Sequence, residues 1–493
     1  STLTLLLRES KFITDKLVTD KRVKYFTENK YMKARDKLYE YLDEPNADKY
    51  GKEFWEDPFK WLKKNHKDFF DLVEDLIDSD AEIEMIIKKY LGYVMYKPTN
   101  NHTIQADIYI DNQRYLDGAT PGSFFKNRTE RYVIVKSDTG TGKTTAMKNY
   151  ILDNNTRFIS IVSRLSLGKE QHKVFKEADI ECEWFKDVDN REMFMYEGDN
   201  MIIQIDSILK LHNWDFTGYT IYLDEFNSLI EYFLDCPTLQ DKRICVKEVF
   251  ENMILTAEYV YMTDAHISDT SLLYLRELGV TESKVFIQNN YQHNKGIKAT
   301  EIHSDNNLLI ELIGKYKNKE PFMVCCDSKN IADVLWNNLG KNKDIGLFTS
   351  ETMIDIDLDA YKYVIFSPKV VYGLDSLMER PVYAVMKEHT ISPLAMVQQV
   401  NRCRKITEIK YLFCRKSHGL YKYENVEEVL TSLNKREVNS LNTMKLLSSE
   451  EDQKRFKKIL AHHLYQHDCM DTNKFAHFRM LLQGQGVILN DKL

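Results

Sequence analysis

The sequence predicts an α/β protein made of two consecutive parallel-sheet units, with helical regions at both ends. Three observations predict it. Short apolar, β-branched runs alternate with helical stretches from 121 to 295. A second series of the same kind runs from 296 to 418. Such alternation implies parallel strands joined by crossover helices. Finally, residues 131–145, RYVIVKSDTGTGKTT, read as a strand, a Gly-spaced loop and the start of a helix.

The bulk properties fit a multi-domain protein. A chain of 493 residues is too long for one core. Charges of both signs are plentiful and the net charge is only -7. Nucleic acid, if bound, is therefore held in a local channel and not by an overall basic field. Cysteines 182, 236, 245, 325, 326, 403, 414 and 469 form no Cys-x-x-Cys pair, the pattern of reduced thiols in an intracellular protein. The opening STLTLLL is too short for a signal sequence, and no apolar run reaches the ~18 residues of a membrane span. The chain begins with Ser, not Met, as expected of a fragment or a processed piece of a longer protein.

Residues 1–120 read as a helical domain, because charged and apolar residues interleave at helical spacing. The Lys-rich KWLKKNHKDFF (60–70) reads as a solvated helix face, with a nucleic-acid contact as its alternative. The turn DGATPG (117–122) marks the boundary before the first α/β unit. Phe124 and Phe125 read as core, with adenine stacking as the alternative. Strands are expected at 131–136, 157–163, 201–206, 220–225 and 259–265, then in ATEIH, at 321–328, in DIGLFTS, at 361–367, in PVYAVMK and at 409–415. Residues 419–493 read as a C-terminal helical domain. Its His462, His463, His467, Cys469 and His477 lack a metal-ligand spacing and are expected to be structural.

Three stretches carry chemistry. In the loop, Gly140 and Gly142 let backbone amides close around a triphosphate. Lys143 would reach the β and γ phosphates, and the Thr144 hydroxyl would ligate Mg²⁺. Ser137, Asp138, Thr139, Thr141 and Thr145 complete this cofactor loop, with Ser137 where the strict P-loop pattern has Gly. Second, the strand Ile221-Tyr222-Leu223 ends in Asp224 and Glu225. The first acid suits Mg²⁺ and the second suits polarising the attacking water. Third, QQVNRCRK offers Arg402 as arginine finger, Arg404 as a second, and Gln398 as a sensor of the nucleotide.

Taken together these stretches resemble superfamily 2 helicases over residues 130–418. SDTGTGKT is similar to motif I. Leu223-Asp224-Glu225-Phe226 is similar to motif II, with Phe226 and Asn227 in place of the usual last two residues. Thr263-Asp264-Ala265 fits motif III only loosely. SPKVVYGLD is similar to motif V through Gly373 and Asp375, which the resemblance adds to the nucleotide site. QQVNRCRK is similar to motif VI, with Asn401 replacing Gly and the second Arg one place early. That early Arg, with SIVSRLSL (160–167) and IIQIDSILKL (202–211), resembles the herpesvirus-type origin-binding helicases and their relatives in large DNA viruses.

The resemblance implies two tandem RecA-like P-loop lobes with ATP and Mg²⁺ between them. It also implies a nucleic-acid strand across both lobes, met by Ser163, Arg164 and Ser207 from the first and by Ser328, Lys329, Thr349 and Ser367 from the second. Hydroxyls and basic groups of this kind suit phosphate contacts. The expected function is an ATP-dependent DNA helicase or translocase, usually 3′ to 5′, at an intracellular site of viral genome replication. Its expected partners are single-stranded or tailed duplex DNA and other replication proteins, without a membrane. An RNA helicase, the motor portion of a primase–helicase, and a nucleotide-dependent scaffold remain open alternatives.

Overall fold

The computed structural model describes residues 58–65, 105–111, 113–117, 123–126, 128–188, 196–349, 357–368, 375–413, 422–423, 425–435, 449–472 and 474–490. The expected N-terminal helical domain lies almost wholly outside the described residues. Within it the helix Pro58–Asn65 carries Lys63 and Lys64 in its last turn, both exposed.

The first lobe is one parallel sheet of eight strands. In chain order these are β1 (Ile108–Ile110), β2 (Tyr132–Lys136), β3 (Phe158–Val162), β4 (Glu183–Trp184), β5 (Met201–Gln204), β6 (Thr220–Asp224), β7 (Tyr259–Asp264) and β8 (Lys284–Asn289). Their order across the sheet is β1-β8-β2-β7-β6-β3-β5-β4. The central strands are apolar without alternation because helices cover both faces, and every residue of β3 and β6 is buried. Phe124 and Phe125 belong to this core, and Phe125 packs on Tyr261 with ring centroids 4.6 Å apart.

The second lobe is a parallel sheet of seven strands: β9 (Lys298–Glu301), β10 (Phe322–Cys326), β11 (Ile345–Phe348), β12 (Tyr363–Phe366), β13 (Arg380–Met386), β14 (Ile406–Phe413) and β15 (Ile488–Asn490). Its order is β11-β12-β10-β13-β14-β9-β15. The two-residue period of a strand splits the core in two. Phe322, Val324 and Cys326 face one layer, and Met323 and Cys325 face the other. Two tandem parallel sheets with crossover helices make these RecA-like lobes, as expected. Every strand expected from the sequence is present, while β1, β4, β8 and β15 were not foreseen.

The two ends of the chain depart from the expected partition. Residues 108–110 are not helical; they add the edge strand β1 beside β8. The described residues of 419–493 divide between the cores of the two lobes and do not pack as a helical domain of their own. The helices Val426–Lys435 and Glu450–Thr472 share the first lobe's core through Val429, Leu433, Phe456, Ile459 and Leu460. The helix Lys474–Gly484 instead joins the second lobe's core through Phe478, Leu481 and Leu482, and β15 extends its sheet at β9. The chain thus returns from the second lobe to the first and back again.

The histidines of this tail sit among packing side chains. His463 and His467 lie against each other, their ring centroids 4.3 Å apart and their planes tilted by 57°. Burial, and next the neighbouring His467, push His463 down to about 3. Burial pushes His477 down to about 4. Among the described residues no group of His, Cys, Asp and Glu converges as a metal cage. The described cysteines are all free thiols, and no described helix is long and apolar enough to cross a membrane.

Two expectations follow for stability. Gly168 lies in the helix Leu165–Lys176, and a Cβ there would meet the Trp184 ring at 2.4 Å. Overpacking of this kind costs about 1–3 kcal/mol, more than the ~1 kcal/mol of helix propensity gained. Gly168→Ala should therefore lower the midpoint in urea denaturation; a variant as stable as wild type contradicts this packing. His463 stays neutral when folded but takes up a proton when unfolded below about pH 6.5. Its contribution is complete above that pH and lost as pH falls toward about 3. His463→Leu should flatten the fall in melting temperature over that window, and an unchanged slope would contradict the assignment.

Candidate active site

The glycine-spaced loop expected to hold phosphate begins where β2 ends. Gly140 and Gly142 have left-handed φ values of 77° and 81°, which only glycine adopts without strain, and Lys143 opens the helix Lys143–Asn154. The loop is closed by its own side chains. Ser137 donates from Oγ to Thr141 Oγ1 at 2.7 Å, and Thr141 donates to the Asp138 carbonyl at 2.6 Å. The Lys143 ammonium donates to the Ser137 and Asp138 carbonyls at 2.8 and 3.0 Å. Ser137 also accepts from Asn289 Nδ2 at 3.2 Å. A Ser in the first position thus supplies a hydroxyl that Gly lacks. Ser137, Asp138 and Thr141 shape the loop, whereas Thr139, Gly140, Gly142, Lys143, Thr144 and Thr145 line a cleft of about 340 Å³.

Asp224 and Glu225 enter the cleft from the end of β6. Asp224 is held on both carboxylate oxygens. Gln171 Nε2 donates to Oδ2 at 2.7 Å and Thr263 Oγ1 donates to Oδ1 at 2.9 Å. Ser160 in turn donates to Gln171 Oε1 at 2.6 Å. The Thr144 hydroxyl stands 3.5 Å from Asp224 Oδ2. Glu225 adopts φ 52°, a left-handed conformation that costs a non-glycine residue about 1–3 kcal/mol. Burial first, then Asp264 and Asp224, raise its pKa to about 8. Its Oε2 is buried with no partner among the described residues.

Sequence departures in the motifs have structural counterparts here. Phe226 is core. The Asn227 amide donates to Asp264 Oδ2 at 2.8 Å, and its side-chain oxygen accepts from Ser271 Oγ at 2.8 Å. The loosely matching Thr263-Asp264 does reach the site: Thr263 holds Asp224, and the Asp264 carbonyl accepts the Ser137 amide at 2.9 Å. Burial raises Asp264 to about 6. Burial likewise lowers Lys143, and Asp224, Asp264 and Asp138 oppose that shift.

The second lobe faces this cleft with two arginines. The Ser376 amide donates to the Arg402 carbonyl at 2.7 Å, and the Arg404 amide donates to the Ser376 carbonyl at 2.8 Å. Asp375 then takes both side chains, Arg402 Nη1 at 3.2 Å and Arg404 Nε and Nη2 at 2.9 and 2.7 Å. Asp375, which the resemblance assigned to the nucleotide, lines the cleft but is engaged with the arginines. Gln398 lines the cleft from the helix Pro393–Val400. Gly373 lies outside the described residues.

The cleft fits a nucleoside triphosphate with a divalent cation. Arg402 Nε, Arg404 Nη1 and Glu225 Oε2 are buried without partners among the described residues. A Cβ on Gly140 would approach Arg404 Nη1 at 3.2 Å, so glycine keeps open the space between loop and arginine. A cation here would be shared by Thr144, Asp224 and phosphate oxygens, the usual manner for magnesium.

The residues expected to meet nucleic acid all sit at C-terminal ends of strands, the edge where open α/β sheets bind ligands. Ser163 and Arg164 follow β3, Ser328 and Lys329 lie just past β10, Thr349 follows β11 and Ser367 follows β12. Only some are accessible. Arg164 is exposed and Lys329 partly so, while Ser163, Thr349 and Ser367 are buried. Ser328 Oγ caps the helix Lys329–Asn338 by accepting the Ile331 amide at 3.2 Å. Ser207 lies in the 3₁₀ turn Ile205–Leu211 and donates to Asp206 at 3.1 Å.

Several residues of the site escape sequence reading. Gln171 looks like an ordinary polar helix residue, yet it orients Asp224. Glu170, raised to about 7 by burial and then by Asp375, also lines the cleft. Tyr115 is half exposed at the cleft mouth, and a Cβ on Gly142 would lie 3.5 Å from its ring. Its segment docks through the Leu116 amide on the Thr141 carbonyl at 3.1 Å.

Comparison with known proteins places these features in a family. A protein of Acanthamoeba polyphaga mimivirus named for replication-origin binding is 25% identical over 59% of this chain and 38% of its own length. One of Escherichia phage T5, named likewise, is 22% identical over 58% of this chain and 32% of its own. The chain thus spans about a third of the length of such relatives. Among solved structures, S. cerevisiae Dbp5 bound to RNA and ADP BeF3 is 14% identical, with a TM-score of 0.43 over 67% of this chain and 89% of that one. The family model described as "Origin of replication binding protein" matches residues 60–328. That match covers more than half of the chain, which therefore belongs to the family of origin of replication binding proteins.

Proposed function

We propose that this chain is an ATP-hydrolysing motor of the helicase type that moves along DNA during viral genome replication. One observation carries the reading. Lys143, Thr144, Asp224 and Glu225 of one lobe face Arg402 and Arg404 of the other across a single cleft. Phosphoryl transfer develops charge on the equatorial oxygens of the transferred group, so catalysis is mostly positioning and charge stabilisation. Residues divided between two lobes complete that charge pattern only when the lobes close.

Lys143 exchanges its two carbonyl partners for phosphate oxygens. Magnesium, when bound, neutralises charge on those oxygens, and Thr144 and Asp224 are the side chains to hold it. Glu225, with a buried carboxylate oxygen that no described residue meets, would orient the attacking water. Arg402 and Arg404 leave Asp375 in part to meet the γ-phosphate. Tyr115 is the aromatic ring available to stack on the base, a role for which Phe124 and Phe125 are too deeply buried.

The strand path follows the C-terminal edges of both sheets. Arg164, Lys329 and Ser207 offer side chains. At Ser163 the buried hydroxyl has no partner among the described residues, whereas the Ser367 amide is already bonded to the Phe348 carbonyl at 2.9 Å. Such contacts position a strand without reading its sequence. Family membership favours DNA, and the usual direction in superfamily 2 is 3′ to 5′.

Lys143→Ala should abolish ATP hydrolysis. Glu225→Gln should retain ATP binding while turnover falls at least about 100-fold. Calorimetric binding and phosphate release measure these, and near-normal turnover in either variant contradicts the site. Tyr115→Ala should raise KM for ATP about ten-fold with little change in kcat, as expected for a lost stacking contact of about 1–3 kcal/mol. An unchanged KM would remove the base from that side of the cleft.

A further inference from the structure

A buried relay of amides joins the two halves of the cleft. Asp138 Oδ1 accepts from the Thr139 amide at 2.7 Å and from Gln485 Nε2 at 3.2 Å. Gln485 Oε1 accepts from Asn294 Nδ2 at 3.1 Å, and the same nitrogen donates to Asn401 Oδ1 at 2.9 Å. Asn401 immediately precedes Arg402. The path therefore runs from the P-loop, through the C-terminal tail and the linker between lobes, to the arginine pair. Asn294, Gln485 and Asn401 are all nearly fully buried. Buried amides without partners cost about 1–3 kcal/mol each, so such a set persists only while its bonds are made.

The backbone around it is equally constrained. The Asn294 amide donates to the Gln485 carbonyl at 3.2 Å, and the Gly296 amide donates to the Gly486 carbonyl at 2.9 Å. Gly486 has φ 83°, and a Cβ there would lie 2.8 Å from Lys295 Cα. The turn between the helix Lys474–Gly484 and β15 is thus moulded onto the linker. Asn401 stands where the helicase pattern has Gly, and its side chain is the last member of the relay.

We propose that Gln485 and Asn401 are positioning residues of the nucleotide site. They set the distance between the P-loop and Arg402 and make the C-terminal segment 474–490 part of the motor. The proposal rests on the reading of the cleft as an ATPase site. Neither residue touches the nucleotide. Each acts through its neighbour, Asp138 on one side and Arg402 on the other. Asp138 Oδ1 accepts both bonds, so the relay requires a donor at position 485.

Gln485→Glu keeps the size and the acceptor facing Asn294 but sets a second carboxylate against Asp138. In the full chain with saturating single-stranded DNA, kcat for ATP should fall at least about ten-fold while KM for ATP stays within about two-fold, as expected when a hydrogen bond to a charged group is lost. Asn401→Gly, which restores the helicase-pattern residue, should lower kcat about five-fold in the same way. It decides the matter if Gln485→Glu fails to fold, as judged by thermal melting. A folded variant with wild-type kcat, or one whose loss lies wholly in KM, overturns the relay. A wild-type chain that turns over no ATP overturns the ATPase reading and the relay with it. Wild-type turnover beside unaffected variants overturns the relay alone.

Discussion

The site depends on one half-buried cation, Lys143. Lys143 sits half-buried at the start of a helix, bonded to two carbonyls of its own loop, with Asp138, Asp224 and Asp264 around it. Burial disfavours the charge on an ammonium in such a place, and the carboxylates around it oppose that shift. Acids must therefore converge on it, and the fold makes them converge. In a parallel sheet every strand ends on the same edge, so the ends of β2, β6 and β7 deliver Lys143, Asp224 and Asp264 to one spot. The second sheet presents its own edge opposite, with Arg402 and Arg404.

That arrangement leaves an imbalance of the kind a triphosphate corrects. The first lobe crowds carboxylates, and the second holds two guanidiniums on a single Asp375. Glu225 sits in a strained backbone conformation, with an oxygen that nothing meets among the described residues. On the proposed reading, a cation beside Asp224 and a polyanion beside Lys143 would offset these charges together.

Much of this was legible in the sequence, for physical reasons. Fully buried parallel strands read as unbroken apolar runs, and left-handed glycines announce a phosphate loop. The acids after Leu223 end such a run and stand out. What was not legible depends on tertiary contact. β15 is three residues long and is a strand only because β9 offers an edge. Gln171, on a helix, reads as a solvated polar residue until Asp224 is seen beside it. Gln485 lies in a Gly-flanked turn hundreds of residues from Asp138. The tail read as a separate helical domain because helical periodicity reports an apolar face without saying which core it joins. Its helices in fact divide between two cores.

The central claim is that this cleft couples a nucleotide to a strand lying across both lobes. The most direct test is steady-state ATP turnover of the purified chain as single-stranded DNA is titrated in. The account predicts magnesium-dependent turnover that rises to a plateau with DNA. No turnover, or turnover indifferent to nucleic acid at every concentration, would contradict it.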